Sequence, residues 1–181
     1  MLDLSKNYFE LFGLPVGYLV DSEQLTERYR ELQQVIHPDR FANASDHERL
    51  QSVQGSSRVN DAFETLKDPL RRAHYLLVLN GIDMDMQQES TKDVSFLMEQ
   101  LELREQLEAS RHSDDPYAVI EEIVGGVSRK INALVGQMAV QFETATPEQL
   151  ELAREILRKM QFLQKLRLDA ELLENELDEA L

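Results

Sequence analysis

The chain has no cysteine and no tryptophan among its 181 residues. Without thiols, disulfides, thiolate zinc sites and cysteine nucleophiles are all excluded. Glycine (7) and proline (5) are few and sit mostly at breaks between periodic stretches, which leaves room for long elements. Near-alternating β-branched runs, the signature of half-buried strands, are also scarce. No stretch reaches the ~18 apolar residues that a membrane-crossing helix requires. The N-terminal MLDLSKNYFE lacks the basic start and apolar run of a secretory signal, so a cytoplasmic location is expected.

Positive charge is in short supply. The net charge is −15, and it is unevenly spread. Residues 1–80 carry 9 basic and 12 acidic side chains, a net of −3, while residues 81–181 carry 10 and 22, a net of −12. So acidic a chain repels phosphate backbones and anionic lipid, which excludes nucleic acid and membrane surfaces as expected partners. It favours proteins with basic patches.

What is present is amphipathic. With 42% hydrophobic and 29% charged residues, the composition is that of a globular chain of one or two small domains. YFELFGL reads as a short helix that stops near Gly13 and Pro15. Asp21 or Ser22 caps a second helix, in which Leu25, Tyr29, Leu32 and Ile36 recur at helical spacing. Pro38 ends it. Ser45 or Asp46 then caps a longer helix, Asp46 to Lys67, with Leu50, Val53, Val59, Ala62, Phe63 and Leu66 on its apolar side. A fourth runs from Pro69 to a stop at Asn80-Gly81. The polar stretch Ile82 to Lys92 offers few anchors and reads as a linker. Three long periodic stretches come next, about Val94 to Ala109, Pro116 to Thr144 and Pro147 to Ala180. Their short breaks favour an antiparallel three-helix bundle. The predicted fold class is all-α, divided as residues 1–80, a linker 81–92 and a bundle 93–181.

No phosphate loop, no nucleophile elbow and no His-Glu-x-x-His helix is present. No catalytic residue, metal or cofactor is therefore expected. A metal-dependent hydrolase would need His37, Asp39 and His47 to converge without any ligand spacing to announce it. As a bare tripeptide, His37-Pro38-Asp39 is an ordinary interhelix turn, with Pro stopping a helix and Asp bonding the turn backbone.

Its setting favours another reading. YRELQQVIHPDRF resembles the second helix and loop of the J-domain of DnaK-type co-chaperones. VNDAFETLKDPLRRAHY resembles the end of that domain's third helix and the stretch after it. FLMEQLELREQLE extends the resemblance to the HscB family, the J-proteins of bacterial iron–sulfur cluster assembly, over nearly the whole chain. Two departures stand out. Ile36 occupies a position that is often aromatic, and the second helix carries Arg28 and Arg30 rather than many lysines.

The resemblance implies a helical hairpin with short flanking helices, then a three-helix client-binding bundle. It implies a non-enzymatic protein that stimulates the ATPase of a DnaK-type chaperone, HscA, through His37, Pro38, Asp39, Arg28, Arg30 and Arg40. The implied client is the cluster scaffold protein IscU. A J-protein serving a different client is the alternative.

The client face has an independent geometric basis. At about 100° per residue, Phe96, Leu103 and Leu107 share roughly 40° of arc and form a core stripe. Leu97, Met98 and Leu101 form a second apolar patch beside Glu105 and Glu108. A wide buried arc touching both neighbouring helices would explain two patches. The acidic neighbours favour an exposed binding face with a charged rim. Similarity to HscB adds Glu102 and Phe162 to that face. It also leaves Ala109 where relatives have a carboxylate, which shortens the rim.

Overall fold

The computed structural model describes residues 3, 5–36, 45–85 and 90–179. Among the described residues there are seven helices: α1 (Tyr8–Phe12), α2 (Ser22–Ile36), α3 (Asp46–Lys67), α4 (Pro69–Leu79), α5 (Val94–Ser110), α6 (Pro116–Thr144) and α7 (Pro147–Glu179). There is no strand among them. The chain divides into two compact units, Met1–Asn80 and Gly81–Leu181.

Most helix limits follow from local chemistry. Asn7 closes a capping box with Glu10 at the start of α1, and Gly13 ends the helix in the left-handed region at φ 65°, where glycine has no Cβ penalty. The Asp21 carboxylate accepts the Glu23 and Gln24 N–H groups. Ser45 and Glu48 form a second capping box at α3. Asp68 caps α4, whose first residue is Pro69, the position where a missing N–H costs nothing.

In the N-terminal unit, α2 and α3 form a hairpin that α1 and α4 flank. Phe9, Phe12, Leu25, Val59, Ala62, Leu66, Ala73 and Leu77 are buried at its centre. The Tyr8 ring stacks on Tyr75 at 4.4 Å, and the Tyr75 hydroxyl oxygen accepts the Tyr8 N–H at 2.9 Å. The Arg72 guanidinium is buried, donates to the Leu66 carbonyl at 2.6 Å and lies 5.0 Å from the Tyr18 ring centroid. Burial pushes the Tyr18 hydroxyl up to about 12, against a partial downward pull from Arg72.

Leu50 and Val53, expected on the apolar side of α3, are 56% and 55% exposed and do not belong to it. The buried line of α3 is instead Ser52, Gly55, Val59, Ala62 and Leu66, spaced at three and four residues as a helix face requires. Its first two members are small, so close packing rather than hydrophobicity defines the face there.

The C-terminal unit is the expected bundle. Leu107 of α5, Ile120, Ile123 and Val127 of α6, and Leu163, Leu166, Ala170 and Leu173 of α7 make one core cluster. Phe96 and Leu103 pack against it, as the stripe predicts. Gln100, on the same stripe, is buried although polar. The segment before α5 is better anchored than its polarity suggests. Met84 and Thr91 are buried, and the Thr91 hydroxyl donates to Glu155 on α7.

Candidate functional site

In the N-terminal unit, α2 is fastened to α3 along its second half. Tyr29 stacks on Phe63 at 4.1 Å, and its hydroxyl donates to the Asn60 side-chain oxygen at 3.0 Å. The Gln33 amide donates to that same oxygen. The carbonyl of Ile36, the last residue of α2, accepts from Ser52 Oγ at 2.7 Å. A final-turn carbonyl has no partner within its own helix, so a side chain of α3 supplies one. The Ser45 capping box fixes the start of α3. Both helix ends that flank residues 37–44 are thus tethered. His37, Pro38, Asp39 and Arg40 themselves lie outside the described residues.

Arg28 and Arg30 are both exposed on α2. Arg28 pairs with Glu31 at 2.9 Å, and both side chains are about half exposed. Such a surface pair is worth little, so the guanidinium can be given up to another carboxylate at small cost. Val35, close to the end of α2, is 59% exposed.

In the C-terminal unit, the second apolar patch of α5 stays outside the core. Met98 is 54% and Leu101 52% exposed, while Leu97 is half-buried. Glu102 and Glu105 are exposed beside them. Phe162 is half-buried on α7 and meets Phe96 edge to face, with centroids 6.2 Å apart and planes at 76°. Phe162 thus touches the core stripe of α5 at Phe96. Ala109 is exposed one turn past Glu105, without a charge.

The start of α5 is tied to α7 by an ion pair that the sequence pattern does not announce. Asp93 caps α5 by accepting the Phe96 N–H at 3.0 Å. Its other oxygen takes the Lys159 ammonium at 2.6 Å. Lys159, then the Phe96 N–H, hold the Asp93 carboxyl below the usual carboxylate range. The Lys159 ammonium also lies 5.5 Å from the Phe96 centroid. One residue earlier on α7, Arg158 Nη1 donates to Glu155 at 2.9 Å. Asp93 and Lys159 stand 66 residues apart in sequence, and no local pattern announces their pairing. No group of three or more His, Asp or Glu that could hold a metal ion occurs among the described residues. No helix among them is long and apolar enough to cross a membrane.

A helical hairpin whose tethered ends flank a His-Pro-Asp sequence, followed by a bundle bearing an acid-rimmed apolar face, defines a J-domain co-chaperone. Residues 7–75 match the family described as DnaJ domain, and residues 92–171 match HSCB C-terminal oligomerisation domain. The chain is 40% identical over 174 residues to the "Co-chaperone protein HscB homolog" of Shewanella amazonensis, covering 94% of this chain and 98% of that one. Among solved structures it is similar to HscB from Vibrio cholerae (41% identity, TM-score 0.84, 95% of this chain and 99% of that one). It is also similar to human co-chaperone protein HscB (32% identity, TM-score 0.85, 95% and 84%). The chain belongs to the HscB family of co-chaperones, which serve iron–sulfur cluster assembly. Proteins of the J-domain co-chaperone family are generally non-enzymatic.

Proposed function

We propose that this protein stimulates ATP hydrolysis by the DnaK-type chaperone HscA and delivers the scaffold protein IscU to it in the cytoplasm. It has no catalytic residue and uses no cofactor or metal of its own. His37, Pro38 and Asp39 are the docking element, with Arg28, Arg30 and Arg40 meeting carboxylates of the chaperone. Arginine suits this because its planar fork forms paired, directional bonds with carboxylates. Leu97, Met98, Leu101, Glu102, Glu105 and Phe162 receive the client. The division of labour is residues 1–80 for the chaperone and 93–181 for the client, joined by 81–92.

The observation that carries this reading is the exposure of Met98 and Leu101 on α5 beside the exposed carboxylates of Glu102 and Glu105. A small bundle leaves neighbouring large apolar side chains in water at a cost, unless a partner covers them. The apolar centre and acidic rim have the anatomy of a protein interface. The net charge of −12 on residues 81–181 speeds encounter with a basic partner.

Steady-state ATP turnover by HscA tests the docking element. His37→Gln is expected to remove stimulation while thermal melting stays within a few degrees of wild type. Undiminished stimulation by the variant would remove the loop from the mechanism.

A further inference from the structure

We propose that Lys159 is a positioning residue for the client face: held between the Asp93 carboxylate and the Phe96 ring, it fixes Phe96 and thereby the edge-to-face seat of Phe162. The inference rests on the reading of Phe162 and the α5 patch as the surface that receives IscU.

Four contacts converge. One Asp93 oxygen accepts the Phe96 N–H at 3.0 Å, and the other takes Lys159 Nζ at 2.6 Å. A single carboxylate thus ties the first turn of α5 to the middle of α7. Lys159 Nζ stands 5.5 Å from the Phe96 centroid, within reach of a cation–π contact. The Phe96 ring then meets Phe162 at 6.2 Å and 76°, the T-shaped arrangement that aromatic quadrupoles favour. Lys159 and Phe162 are three residues apart on α7, so they share a face and bracket Phe96.

Neither ring is locked by burial. Phe96 and Phe162 are both only half-buried, so packing alone leaves each some rotamer freedom. The Lys159 side chain is 23% exposed, which leaves its pairing with Asp93 less screened than that of a fully solvated ion pair. The nearest earlier carboxylate of α7, Glu155, is engaged by Thr91 and Arg158. Removing the Lys159 charge releases Phe96 on one side and lets Phe162 sample other rotamers. Binding then weakens by the fraction of molecules still correctly arranged.

The test is calorimetric titration of full-length protein with purified IscU, with thermal melts of each variant run alongside. Lys159→Met retains the apolar stem and removes the charge. It is expected to weaken binding about fivefold, a typical coupling between contacting residues. Lys159→Arg keeps a cation over the ring and is expected to bind within about twofold of wild type. Phe162→Ala is expected to weaken binding at least about tenfold, as loss of an aromatic anchor does. In the Phe162→Ala background, Lys159→Met should add less than about twofold, because its effect runs through that ring. Unchanged binding by Lys159→Met, with loss in Phe162→Ala, overturns the positioning role. So does a fivefold loss that persists undiminished in the double variant, since Lys159 then acts independently of Phe162. Unchanged binding by Phe162→Ala removes the client face itself, and the inference with it.

Discussion

Leu101→Ala and Leu107→Ala separate the proposed client face of α5 from its core stripe. Leu101 is 52% exposed, whereas Leu107, six residues on, is 4% exposed. Fully burying a leucine side chain is worth roughly 1.5–3 kcal/mol. About half of that remains to be gained when a client covers Leu101, or on the order of 1 kcal/mol, and close packing at the interface adds to it. A total near ~1.4 kcal/mol is a tenfold loss of affinity for IscU on truncation. The folding cost is bounded by the other half, about 1 kcal/mol, which lowers the melting temperature by roughly 4–8 °C in a unit of this size. Leu107→Ala should behave oppositely. Emptying a core site costs about 2–5 kcal/mol, and the molecules still folded should bind with near-normal affinity. Calorimetric titration with IscU well below the melting point, beside thermal scans of both variants, is the measurement. A melting shift for Leu101→Ala equal to that of Leu107→Ala, with unchanged affinity, would refute the exposed-face reasoning and return Leu101 to the core.

Three further outcomes are expected. A fragment of residues 1–80 should fold and stimulate HscA weakly, yet gain nothing from added IscU; enhancement by IscU equal to that of the full chain would end the division of labour. Ser52→Ala orphans the buried Ile36 carbonyl, a loss of about 1–3 kcal/mol, and should lower the denaturation midpoint of that fragment; an unchanged midpoint would mean water replaces the hydroxyl. Tyr18→Phe should flatten the alkaline limb of stability. The folded Tyr18 hydroxyl titrates near about 12 rather than 10, so between those values the unfolded chain has lost the proton and the folded one retains it. Wild type therefore loses stability as pH rises from 10 towards 12, and the variant should show a shallower decline in chemical denaturation across that window.

Most helix limits were legible in the sequence because they depend on local chemistry. Gly13, Asp21, Ser45, Pro69 and Asn80-Gly81 each act within a few residues of where they stand. The core stripe of α5 was equally legible, since Phe96, Leu103 and Leu107 repeat at helical period. The illegible parts have physical causes. Ser52 and Gly55 are buried for their smallness, which hydropathy does not register, so Leu50 and Val53 were placed on the apolar side in their stead. Thr91 and Gln100 are buried polar residues, and polarity reads as surface. The pairing of Asp93 with Lys159 links positions 66 apart, and nothing in either neighbourhood marks the other. The proposed client face was half legible: helical geometry separated its apolar patch from the core stripe, but Glu102 and Phe162 join it by family resemblance alone.

The anchoring of Thr91 and Asp93 gives the protein a mechanical property. Both residues lie just before α5, and both are tied to α7, at Glu155 and Lys159 respectively. Those attachment points are four residues apart, close to one helical turn. A pull transmitted along the backbone from the preceding segment therefore enters the bundle at the side of its longest helix, before it reaches the first turn of α5. Two polar ties share that load. They lie upstream of Leu97, Met98 and Leu101, so tension shorter-lived than their rupture leaves the helix that carries the apolar patch undistorted.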